Sequence, residues 1–209
     1  MELNVNKLKT ELQKPLPGIP AQYQMAPVSR PKFDVENLSE DQYRPSAVMI
    51  LFCKDELDDF FIPLIERHAY KGTHSAQISF PGGKYEVEDE NLQNTAIREC
   101  FEEIGLKEEI EILGKLTRLF IPVSGFLVEP YVGICKIKNP VVIPQEREVK
   151  SVLKLSLSQL VDDSIIKEGV VQAGEYKIKT PYFLAEGNKV WGATAMMLNE
   201  LKTVLKAIL

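Results

Sequence analysis

The sequence predicts an α+β fold, a mixed β-sheet with helices packed against it. Two observations predict it. Short apolar runs rich in β-favouring residues recur from residue 46 onward. Helical spacing appears in only a few places among them, without regular βαβ repeats. The chain's 209 residues suffice for one well-packed domain with some extra at an end.

The elements follow in order. Residues 1–45 read as an N-terminal arm. Leu8 and Leu12, four apart, suggest one short helix, and the stretch after it reads as irregular. It contains Pro15, Pro17, Pro20, Pro27, Pro31 and Pro45, each of which removes a backbone donor and fixes φ. The compact domain is placed at residues 46–209. Residues 46–52 (SAVMILF) and 60–67 (FFIPLIER) read as neighbouring buried strands, and 77–80 (QISF) as a short third. Residues 91–104 read as a helix stopped by Gly105, because glycine takes the left-handed cap at little cost. Strands are expected near 109–116, 128–138 and 149–157. A last helix is expected over 193–208, where Leu198, Leu201, Leu205 and Ile208 share one face.

Composition narrows the function classes. Hydrophobic residues make up 44% and charged residues 26%, values of a globular rather than a disordered chain. The net charge of −5 argues against an electrostatic grip on long nucleic acid. Cys53, Cys100 and Cys135 are odd in number and widely spaced, which argues against a disulfide framework or a thiolate zinc site. They read as small buried hydrophobes. No apolar run approaches the roughly 20 residues of a membrane span. The N-terminus lacks the apolar core of a secretory signal, so a cytoplasmic location is expected.

The chemistry concentrates in residues 80–106. Glu99, Glu102 and Glu103 stand at i, i+3 and i+4, so three carboxylates share one helix face. Like charges at that spacing destabilise an isolated helix, and a hard divalent cation offsets the repulsion. Taken alone, such a string reads as a solvated acidic face with Arg98 pairing Glu102. Its setting changes the reading. Pro81, Gly82 and Gly83 end a β-like run just before the helix, where glycines let backbone approach a ligand closely.

Arg98-Glu99-Cys100-Phe101-Glu102-Glu103-Ile104-Gly105-Leu106 resembles the second half of the Nudix box, R-E-U-x-E-E-x-G-U with U apolar. The spacer from Gly83 to Arg98 is one residue longer than in the general box. That expansion is similar to the coenzyme A branch of the family, with Glu86 and Asp89 at its acidic positions. Upstream, Leu64-Ile65-Glu66-Arg67 and the stretch from Gly72 through His74 and Gln77 to Phe80-Pro81-Gly82-Gly83 resemble a signature of that branch, with Ala76 in place of its usual glycine. Residues 126–133, Glu148-Val149 and 191–195 resemble it too. The likeness runs from about residue 46 to the C-terminus.

The resemblance implies a Nudix-type α/β/α sandwich with a mixed β-sheet. It also implies a Mg²⁺- or Mn²⁺-dependent pyrophosphohydrolase that cleaves coenzyme A or its derivatives to 3′,5′-ADP and 4′-phosphopantetheine or its acyl form. Glu99, Glu102 and Glu103 are the expected catalytic metal ligands. Glu99 and Glu103 are the principal pair, because i and i+4 point most nearly the same way. Arg98 is expected to hold a glutamate in place. Arg67, His74, Gly82, Gly83 and Lys84 are the expected substrate-binding residues. From Arg67 to Lys84 there are Arg67, His68, Lys71, His74 and Lys84 and no acidic residue, a stretch that suits phosphate. Lys71 and Lys84 read equally as solvated loop residues, and His74 equally as a residue that fixes the loop. Glu148 is a candidate general base and equally an ordinary surface glutamate. Trp191 reads as a core anchor rather than a base-stacking platform. The expected partner is a small nucleotide, with no nucleic acid or membrane, and a homodimer is plausible from base rates. Two other functions fit the same box: hydrolysis of ADP-ribose or dinucleotides, and a non-catalytic ligand-binding module.

Overall fold

The structure is a computed structural model that describes residues 2–68 and 77–209. His74 and Lys71 lie outside the described residues. Two short helices open the chain, α1 (Val5–Glu11) and α2 (Gly18–Tyr23). Then come β1 (Arg44–Lys54), β2 (Phe60–Arg67), β3 (Ile78–Ser79), β4 (Gly82–Lys84) and the long helix α3 (Leu92–Ile104). The second half holds β5 (Ile110–Lys115), β6 (Leu119–Ile121), β7 (Phe126–Lys138), β8 (Val149–Ser156), α4 (Leu157–Val161), β9 (Ile166–Ala173), β10 (Tyr176–Ala185), β11 (Asn188–Val190) and α5 (Gly192–Lys206).

Strands β1–β8 form one mixed sheet. β1 runs parallel to β7 and antiparallel to β2 and β4, while β8 pairs with β2 and both β5 and β6 pair with β7. The period of two along a strand divides the core. Ala47, Met49, Leu51 and Cys53 of β1 face α3, where they meet Ala96, Cys100 and Ile104. Ile50 and Phe52 of the same strand face the opposite way, toward Leu198, Leu201 and Leu205 of α5. The long apolar run of β1 thus serves two cores, one on each face, as a central strand must. The result is the expected α/β/α arrangement. All three cysteines are free and buried.

The N-terminal stretch packs into the α5 side of the core. Leu8, Leu12, Ala21 and Met25 are all buried. Glu200 of α5 is fully buried and is satisfied by neutral donors: the Gly18 N–H, the Gln22 side-chain amide and the Thr117 hydroxyl, the last at 2.6 Å. The proline-rich stretch forms α2 where irregular chain is expected. Pro20 falls in the first turn of α2, where a missing N–H removes no intrahelical bond.

A second sheet of β9, β10 and β11 is absent from the sequence expectation. Its strands mix lysine and glutamate with single apolar residues, and only a few side chains such as Val171, Phe183 and Val190 are buried. The signal lies in its turns, where Gly174 (φ 60°) and Glu186-Gly187 (φ 48° and 79°) adopt left-handed backbone.

Candidate active site

The site begins at the join between sheet and helix. β4 pairs with β1 so that Gly82 lies opposite Val48 and Gly83 opposite Ala47. A Cβ at Gly82 would collide with the Ala47 carbonyl, and one at Gly83 would collide with the carboxylate of Glu99. The two glycines therefore do different things. Gly82 lets β4 lie close on β1, and its N–H donates to Glu103 Oε2 at 2.8 Å. Gly83 leaves the space that the Glu99 carboxylate occupies.

α3 presents the acidic residues to that join. Its N-terminus is capped by the Asn91 side chain, which accepts from Asn94 N–H, and its C-terminus by Gly105 at φ 63°. Ala96, Cys100 and Ile104 bury one stripe against the sheet. This fixes the rotation of the helix and turns Glu99 and Glu103 toward the Gly82-Gly83 backbone. Glu102 lies further out, with its side chain 59% exposed.

Glu103 is 1% exposed. Arg67 Nη2 pairs with its Oε1 at 2.7 Å, and among the described residues that oxygen accepts no hydrogen bond. Burial pushes the Glu103 carboxyl up to about 7. Arg67 and the Gly82 N–H pull against this shift, while Glu99 and Glu148 add to it. Burial also raises Glu99, with Arg98 opposing. The same Arg67 Nη2 donates to the Gly82 carbonyl at 2.9 Å. Lys84 is exposed, 3.8 Å from Glu86.

Arg98 ties the acidic groups together. Its Nε and Nη2 donate to the two oxygens of Asp89 at 2.6 and 2.9 Å, and its Nη1 reaches Glu99 at 3.0 Å and Glu102 at 3.1 Å. Asp89 is buried and also accepts from Thr95 Oγ1 and the Glu86 N–H. The Arg98 hydrogen bonds, joined by these two, hold its carboxyl well below the usual range. Sequence reasoning anticipated Arg98 as a support for a glutamate but did not identify Asp89 as its main anchor. The available signal was the charge at position 89 in the lengthened spacer.

A strap flanks the site. Ile143 N–H and Gln145 N–H donate to the Ile104 and Glu103 carbonyls, capping the last turn of α3. At its far end His68 Nε2 lies 2.9 Å from the Glu146 carbonyl, and His68 N–H donates to the Glu148 carbonyl. Glu148 itself is exposed. Trp191 is half-buried at the N-terminal end of α5.

The donor set fits a hard divalent cation. Glu99 and Glu103 converge on the same join at low exposure, and among the described residues Glu103 Oε1 has no hydrogen-bond donor. Among the described residues no three carboxylate, imidazole or thiol groups close into a ready-made cage. Two carboxylates, Glu99 and Glu103, are a number that Mg²⁺ takes while keeping waters.

The family model of the NUDIX domain matches residues 43–168. The chain is 28% identical over 156 residues to the human mitochondrial coenzyme A diphosphatase NUDT8, covering 73% of this chain and 65% of that protein. It is 32% identical over 165 residues to the mitochondrial Nudix hydrolase 15 of Arabidopsis thaliana, covering 76% and 58%. In both cases the match spans less than two thirds of the relative's length. A solved MutT protein from Methanosarcina mazei Go1 shares the fold at a TM-score of 0.51 and 18% identity, over 79% of this chain and 96% of that one. By the extent of the domain match, with the fold in agreement, the chain belongs to the Nudix hydrolase family, whose members act on the pyrophosphate bonds of nucleotide derivatives.

Proposed function

We propose that this protein is a pyrophosphohydrolase, dependent on Mg²⁺ or Mn²⁺, that cleaves coenzyme A or its acyl derivatives to 3′,5′-ADP and 4′-phosphopantetheine or its acyl form. The observation that carries the chemistry is the convergence of Glu99 and Glu103 on the Gly82-Gly83 backbone. The substrate reading rests on the Leu64–Gly83 signature and on the likeness to a coenzyme A diphosphatase.

Glu99 and Glu103 would hold the cation, with Glu102 ligating from the solvent side or orienting a water. When bound, the cation neutralises charge on the phosphate oxygens and acidifies water. The chain's own residues supply positioning. Arg98, anchored on Asp89, keeps Glu99 and Glu102 in their rotamers. Gly82 and Gly83 shape the floor. Arg67, on the buried side beside Glu103, and Lys84, on the exposed side, would bind the anionic substrate. His74, outside the described residues, is proposed as a substrate-binding residue on the resemblance alone.

The test is a substrate panel. Purified protein is given coenzyme A, ADP-ribose and NADH in turn with Mg²⁺, and initial rates are compared. A higher kcat/KM for coenzyme A supports the reading. Faster turnover of ADP-ribose or NADH would keep the chemistry and overturn the substrate. No turnover of any would favour a ligand-binding module.

A further inference from the structure

Around Glu103 a circuit of contacts runs through the side chains of Arg67 and His68 and the backbone of residues 145–146. Arg67 ends β2 and reaches Glu103. The Glu103 carbonyl accepts from Gln145 N–H at 3.0 Å. One residue on, the Glu146 carbonyl meets the ring of His68, which follows Arg67 in sequence. The strap between is a tight turn in which the Gln145 carbonyl accepts from both Glu148 N–H and Val149 N–H. At its end the register of β2 against β8 slips, with Glu66 opposite Ser151 but Arg67 opposite Val149. That slip brings the end of β2 and the strap together. A carbonyl only accepts, so His68 Nε2 carries the hydrogen of this contact.

We propose that His68 is a positioning residue for the Glu103 site. Its ring N–H and backbone N–H clamp residues 146 and 148 to the end of β2, and so hold in register the strap that caps α3 at Glu103. The residue is exposed, and its ring contact is to the Glu146 carbonyl, so it acts through the strap. This rests on the proposed reading that Glu103 helps hold the cation.

The experiment measures Mn²⁺ binding by the electron paramagnetic resonance of free Mn²⁺, without substrate, for wild type, His68→Ala and His68→Gln. Glutamine retains a side-chain N–H for the Glu146 carbonyl and alanine does not. His68→Ala should bind Mn²⁺ about fivefold more weakly, the order expected for one lost hydrogen bond. His68→Gln should stay within about twofold of wild type on the same scale. With coenzyme A, His68→Ala should lower kcat and leave KM unchanged. Wild-type Mn²⁺ affinity in His68→Ala, or an equal loss in His68→Gln, overturns the proposal. Absence of Mn²⁺ binding in wild type overturns it together with the cation reading. Failure to hydrolyse coenzyme A alongside the expected Mn²⁺ pattern overturns only the substrate.

Discussion

Asp89 grips Arg98 with both carboxylate oxygens, and Arg98 in turn touches Glu99 and Glu102. A buried acid that never faces the cation thus sets the geometry of two that do in the proposed mechanism. Asp89→Asn keeps the shape but loses the charge and one acceptor. It should lower kcat about 10-fold or more, in the range of lost metal-site supports. An unchanged kcat would remove Asp89 from the account.

The same pair gives a pH signature for stability. The folded-state carboxyl of Asp89 lies below its unfolded value near 3.9, so its contribution is complete above about pH 4 and is lost as pH falls toward the folded value. The difference in unfolding free energy between wild type and Asp89→Asn should therefore be constant at neutral pH and shrink below about pH 4. A difference that grew on acidification would contradict the assignment.

Glu103→Gln should cut turnover by about 100-fold or more, as loss of a metal ligand does, while leaving the fold intact. The neutral amide is less costly to bury than the carboxylate, so the thermal midpoint without metal should not fall. Stabilisation by added Mg²⁺, present in wild type, should disappear. More than about a tenth of wild-type activity would refute the role.

Gly82 and Gly83 should respond differently to alanine. At Gly83 the new methyl meets the end of a flexible glutamate, so the protein should fold and lose activity as Glu99 is displaced. At Gly82 it meets backbone of the central strand, so the main loss should be folding. Circular dichroism and turnover on both variants separate the two effects.

Leu8, fully buried beneath α5, tests the weight of the N-terminal stretch. Leu8→Ala should cost about 2–5 kcal/mol in denaturant unfolding. A cost below about 0.5 kcal/mol would mean the stretch is only loosely attached.

Much of this architecture was legible in the sequence. The apolar runs of β1, β2 and β7, the helical spacing of α3 and α5, and the stop at Gly105 follow from local rules. The sheet β9–β11 did not, because its alternation is diluted by lysine and glutamate. α2 did not, because its prolines suggested irregular chain. Within the site, helical spacing placed Glu99 and Glu103 together. It gave no hint that Glu102 would stay exposed, since exposure depends on how the helix is rotated on the sheet. The clamp at His68 joins residues 78 apart along the chain, and the anchoring of Arg98 on Asp89 depends on how the spacer folds back on the helix. Such contacts appear only once the chain has folded.

The most direct measurement is product analysis by chromatography and mass after incubation with coenzyme A, using wild type with Mg²⁺, wild type with EDTA, and Glu103→Gln with Mg²⁺. The first should give 3′,5′-ADP and 4′-phosphopantetheine, the second neither, and the third about a hundredth as much or less. Equal product formation with EDTA, or undiminished formation by Glu103→Gln, would contradict a cation-dependent reaction centred on this carboxylate site.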